Sequence, residues 1–156
     1  MEELRRLRGI AEYQFGRGCG EALFPSNITV TYSKSTGKIR HIYLQGKRIA
    51  TLRPNDGLFT LTITGAELLI SKVEDPGFTV TVGDGFEEDI AEGKSVFAKH
   101  VVEAGSGIRP GDEVVVLDKR GRILAVGRAL LNREEMLAFK TGVAVKVRRG
   151  LKEEKE

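Results

Sequence analysis

Residues 142–149, Gly142-Val143-Ala144-Val145-Lys146-Val147-Arg148-Arg149, decide how the second half of the chain is read. Val143, Val145 and Val147 alternate with Ala144, Lys146 and Arg148, the two-residue period of a strand with one apolar and one basic face. A strand needs partners, and the preceding residues supply them. Ile123–Ala129 follows the turn Lys119-Arg120-Gly121, and Val114-Val115-Val116-Leu117 is the continuous apolar run of a strand buried on both faces. Ser95–Val102 reads as a further strand, and Phe78, Val80 and Val82 alternate with Thr79 and Thr81. Between them lie two short helices. Phe86–Ala91 is capped by Asp84 and ended by Gly93, and Arg133–Phe139 is capped by Asn132 with Gly142 after it. Five or six short strands with two brief helices in about 75 residues predict a small, closed or nearly closed barrel.

Asp75-Pro76-Gly77 stacks turn formers just after a helical pattern and divides residues 1–74 from 75–151, leaving 152–156 as a tail. Glu153–Glu156 reads as frayed and solvated. In the first part, Leu4, Leu7, Ala11 and Phe15 place an apolar stripe on a helix over 2–15, with Glu2 and Glu3 at its positive end. Gly16-Arg17-Gly18-Cys19-Gly20 looks like a phosphate loop, but no strand precedes it and no Gly-Lys-Ser/Thr follows; it is a helix stop. From Asn27 the period becomes two. Ile28, Val30 and Tyr32 mark a half-buried strand, Ser35-Thr36-Gly37 a turn, and Ile39–Leu44, Arg48–Arg53 and Leu58–Thr64 three more strands. Thr64 caps a final helix, Gly65–Lys72. The fold class is α+β: a small domain with an antiparallel meander and helices, then the barrel.

The 156 residues are 40% hydrophobic and 30% charged, enough to bury a core. No apolar run approaches the roughly 20 residues that cross a bilayer, and Arg5, Arg6 and Arg8 are followed by no apolar leader segment. A soluble, cytoplasmic protein is expected. One cysteine, Cys19, excludes an intrachain disulfide and a multi-cysteine zinc site; two histidines, His41 and His100, argue against a histidine-rich metal centre. Neither histidine belongs to a nucleophile–base motif, so no catalytic residue, metal or cofactor is expected. Net charge is +3, and its distribution is more informative. Lys34, Lys38, Arg40, Lys47, Arg48 and Arg53 form one stretch without a carboxylate; Lys140, Lys146, Arg148, Arg149 and Lys152 form another. Such stretches suit a polyanion, or are simply solvated strand faces. Gly93-Lys94, at a helix-to-strand junction, is either a plain helix cap or a close-approach phosphate contact.

Gly93-Lys94-Ser95-Val96-Phe97-Ala98-Lys99, Ile108-Arg109-Pro110-Gly111-Asp112-Glu113-Val114, Leu124-Ala125-Val126-Gly127-Arg128-Ala129 and Gly142–Arg148, in that order, resemble the PUA domain. Tyr13-Gln14-Phe15-Gly16, Ser35-Thr36-Gly37-Lys38-Ile39-Arg40 and Ala50–Phe59 resemble the domain that precedes PUA in archaeal tRNA-guanine transglycosylases and archaeosine synthases. No catalytic motif of those enzymes is present in the sequence. The resemblance implies a six-stranded pseudo-barrel that docks structured RNA, most often the acceptor stem and 3′ end of tRNA. Carried over, the contacts are Gly93, Lys94, Val96, Phe97, Lys99, Lys146, Arg148 and Arg149, with Lys38, Arg40, Lys47 and Arg53 extending the footprint. The expectation is a non-catalytic, archaeal, heat-adapted tRNA-binding protein that supports a tRNA-modifying enzyme in trans. A protein–protein adaptor in an RNA-modification or ribosome-assembly complex is the alternative. Replacing Lys146 and Arg148 with Glu is expected to abolish RNA binding while leaving the thermal midpoint nearly unchanged.

Overall fold

Leu4, Leu7, Ala11 and Phe15 are the buried stripe of α1, Glu2–Phe15. The computed structural model describes residues 2–153, and the chain divides into two compact units between Asp75 and Pro76. In the first unit α1 ends at the glycine run, where the Gly16 amide closes onto the Glu12 carbonyl. A second helix unforeseen from sequence, α2 (Cys19–Leu23), follows at once. The Glu12 carboxylate accepts the Gly18 and Gly20 amides at 3.2 and 2.7 Å. The loop's donors thus serve an anion from the chain itself. Cys19 lies between them fully buried; burial, then the Glu12 charge, pushes its thiol up to about 11.

The meander is β1 (Thr29–Tyr32), β2 (Ile39–Leu44), β3 (Lys47–Leu52) and β4 (Phe59–Leu61), antiparallel in that order. β1 is not the half-buried strand expected. It lies at the sheet edge and three of its four residues are exposed. Helix α3 (Ile63–Lys72) begins two residues before the expected start and is capped by Thr62, not Thr64. The Thr62 hydroxyl accepts from the Gly65 amide at 3.1 Å and donates to the Arg48 carbonyl at 2.8 Å, tying helix to strand. Gly65 itself touches β3 so closely that a Cβ would lie 2.1 Å from the Ile49 carbonyl oxygen. Phe24 and Phe59 meet edge to face at 5.1 Å in the core below.

The second unit contains β5 (Thr79–Val82), α4 (Glu87–Ala91), β6 (Val96–Phe97), β7 (Val101–Ala104), β8 (Glu113–Leu117), β9 (Ile123–Ala129), α5 (Arg133–Ala138) and β10 (Val143–Gly150). Its sheet runs β6-β10-β9-β8-β5-β7, with β5 and β8 parallel and the other pairs antiparallel. The two edge strands, β6 and β7, are separated in sequence only by a 3₁₀ turn, Ala98–His100. Three residues span at most about 10 Å, so the sheet curls until its edges nearly meet. That turn splits the single strand expected over Ser95–Val102, because the Ala98 amide bonds the Gly142 carbonyl while the chain turns toward β7. β8 is buried throughout its centre, as its apolar run predicts. Asn132 and Glu135 form a reciprocal capping box on α5. Asp84 does not cap α4. Its carboxylate faces Lys119 at 3.7 Å, and Glu87 takes the Gly85 amide instead.

Candidate nucleic-acid interface

β10 carries Lys146 and Arg148 outward, with Val145 buried on the opposite face. The two cations have different surroundings. Arg148 is the extra residue of a bulge between Val147 and Arg149. Its guanidinium makes two bonds to the carboxylate of Glu113 on β8, one of them at 2.9 Å. Glu113 is 3% exposed, so Arg148 answers a carboxylate that would otherwise be a buried, uncompensated charge in the barrel wall. Lys146 has no ion pair among the described residues. It stands directly opposite Arg128 on β9, also exposed and also without an ion pair. Like charges facing each other across strands are destabilising. A polyanion laid over them removes that repulsion. Arg128 is a candidate that sequence reasoning missed; its signal was a single arginine in an otherwise apolar strand, next to Gly127.

On the other side of β10, Phe97 of β6 pairs with Val143. Phe97 is 45% exposed and its ring meets His100 edge-on at 5.7 Å, while His100 stacks on Phe86 at 3.5 Å with 16° between planes. An exposed ring braced this way offers a stacking surface to an unpaired base. Lys99, between them in sequence, is exposed with no ion pair among the described residues. Burial, then the Lys99 charge, holds His100 below the usual 6.5. Val96 is fully buried, so it presents backbone at most. Lys94 is exposed with Asp89 at 3.8 Å.

Gly93 has a positive φ of 106°, where a side chain would be strained. The space a Cβ would fill is occupied by the Glu153 carboxylate, with one oxygen 2.6 Å from the Cβ position. Glu153 also accepts the Gly150 amide at 2.8 Å. Lys152 donates from its amide to the Ala91 carbonyl and from its ammonium to Glu88. The start of the tail is therefore held rather than frayed as expected; residues 154–156 lie outside the described residues. Arg149 donates to the Glu153 carbonyl at 3.3 Å.

In the first unit the anticipated basic residues are not gathered. Lys38 precedes β2 and Lys47 follows it, at opposite ends of a six-residue strand, about 20 Å apart. Arg40 is on β2 between them, half-buried. Arg53 is clamped by Asp56, with bonds of 3.1 and 2.5 Å. Among the described residues, no group of three or more His, Cys, Asp or Glu is placed to hold a metal. No helix of these residues is long and apolar enough to cross a membrane.

The nearly closed six-stranded barrel is that of a PUA domain: residues 78–151 match that family. Residues 5–76 match the patch-forming domain C2 of tRNA-guanine transglycosylase. The chain is 42% identical over 150 residues to the tRNA-guanine(15) transglycosylase of Methanothermobacter thermautotrophicus, covering 96% of this chain and 23% of that enzyme. It is 45% identical over 150 residues to that of Thermococcus kodakarensis, covering 96% of this chain and 26% of the relative. It thus resembles the C-terminal region of these archaeal enzymes and spans about a quarter of their length. Among solved structures, a hypothetical protein of hyperthermophilic Pyrococcus horikoshii superposes with a TM-score of 0.75 at 25% identity, covering 96% of this chain and 90% of that one. A conserved PUA domain protein of Thermoplasma acidophilum gives 0.66 at 26% identity, covering 96% and 88%.

Proposed function

We propose that this chain is a non-catalytic RNA-binding protein that holds structured RNA, tRNA foremost, and supports a tRNA-modifying enzyme in trans. The observation that carries this reading is the facing pair Lys146 and Arg128, two exposed cations on neighbouring strands, neither with an ion pair among the described residues, although Glu113 of β8 stands opposite Arg128 on its other side. The braced ring of Phe97 is on β6, the strand paired with β10, and Lys99 is in the turn that follows it. Cations grip ribose-phosphate, and the ring stacks on a base at the end of a helical stem, which suits A-form RNA with its unreadable major groove. The relatives' names supply the choice of tRNA.

Binding of unmodified tRNA, measured by fluorescence anisotropy across a salt series, tests the proposal. About four phosphate contacts, from Lys94, Lys99, Arg128 and Lys146, predict a slope of log affinity against log salt of roughly −2.8 to −3.6. A flat response, or no binding at micromolar protein, rejects it.

A further inference from the structure

The first unit contains a cleft that the PUA reading does not use. Its volume is about 430 Å³, within the roughly 300–1,000 Å³ of small-ligand sites. Ile10 of α1, Ile39 of β2 and Leu52 of β3 give it apolar lining, and Arg6, Lys38 and Glu3 line it as well. Neither cation has an ion pair among the described residues. Tyr32, on the edge strand β1, is 51% exposed and its hydroxyl donates to the Glu3 carboxylate at 2.8 Å, which fixes the ring at the cleft.

Tyr32 is half in water on an edge strand, and two cations share its cleft with a single carboxylate, Glu3, that is bonded to the Tyr32 hydroxyl. Together they match the parts of one nucleotide: a flat face for the base, apolar surface beneath it, and positive charge for the phosphate. The Glu3 carboxylate retains acceptor capacity beyond the Tyr32 bond, which suits amino and ring N–H donors of a base edge.

We propose that the cleft between α1, β1 and the start of β2 binds one unpaired nucleotide of an RNA, its base on Tyr32 and its phosphate between Arg6 and Lys38. This rests on the RNA-binding reading above and adds a second, separate site to it.

The chain has no tryptophan and three tyrosines, so a Tyr13→Phe/Tyr43→Phe background makes Tyr32 the sole tyrosine emitter. Titration of that full-length variant with a 5′-phosphorylated single-stranded RNA trimer should quench Tyr32 emission saturably. Arg6→Glu/Lys38→Glu should weaken the quenching about tenfold or more, and the milder Arg6→Gln/Lys38→Gln should weaken it in the same direction, which separates lost binding from lost folding. Lys146→Glu should leave it unchanged while weakening tRNA. Absence of saturable quenching, or quenching indifferent to Arg6 and Lys38, overturns the cleft proposal alone. If wild-type protein binds neither trimer nor tRNA, both readings fail.

Discussion

The Glu113 carboxylate is buried in the barrel wall and answered by Arg148. Removing Arg148 strands a buried negative charge, whereas removing Lys146 relieves a repulsion with Arg128. Arg148→Ala is therefore expected to lose about 2–3 kcal/mol of stability in urea unfolding. Lys146→Ala should stay within about 0.5 kcal/mol of wild type, yet flatten the tRNA salt slope by about 0.7–0.9. Equal stability losses in the two variants would refute this division of labour. The geometry also corrects the expectation that reversing both charges leaves the thermal midpoint nearly unchanged: Arg148→Glu would set a second carboxylate beside Glu113. Alternation in the sequence put Lys146 and Arg148 on one face and had no means of separating them. Their difference depends on a bulge and on a residue two strands away.

Elements with a strong period were legible in the sequence. The stripe of α1, the run Val114–Leu117, the strand Ile123–Ala129 and the Asn132 cap all show in the local pattern of residue types, whatever partners complete them. What escaped were features imposed from elsewhere: α2 depends on the Glu12 carboxylate, the 3₁₀ turn at Ala98 on the Gly142 carbonyl, and the Thr62 cap on the Arg48 carbonyl. The candidate interface divides the same way. Lys146 and Phe97 were visible from strand periodicity and family likeness, whereas Arg128 matters only through its place opposite Lys146. The α3–β3 contact gives a sharp test at this scale. The missing side chain of Gly65 lets α3 lie against the Ile49 carbonyl, so Gly65→Ala should destabilise the first unit by about 2–3 kcal/mol despite alanine's better helix propensity. Unchanged or raised stability in urea would mean that α3 shifts freely on the sheet.

Each unit contains one histidine, and both are held below the usual 6.5, so the whole molecule acquires a common pH response. For His41 the cause is burial, then the charges of Arg48 and Arg40, beside a 3.0 Å contact from Nδ1 to the Thr51 hydroxyl and an edge contact with Tyr43. For His100 it is burial, then Lys99, with Phe86 stacked on the ring and Phe97 at its edge. Both folded sites favour the neutral ring, so below 6.5 the unfolded chain takes up protons more readily. Stability is then fully present above 6.5 and declines as pH falls. Asp118 and Glu103 act in a lower window. Their folded carboxyls are held below 3.8 and 4.5: for Asp118 burial pushes up but the bonds from Arg122 and Arg120 outweigh it, and for Glu103 the Ala104 amide and Arg133 lower it. Their contribution is retained above those values and lost under stronger acid. Thermal unfolding followed by circular dichroism should therefore show a melting temperature that drops from pH 7 to 5 and again below about 4.5. In His41→Gln/His100→Gln the first drop should vanish and the second remain. A wild-type melting temperature that is flat from pH 7 to 5, or a first drop that survives in the double variant, would show that neither ring is held neutral by the fold.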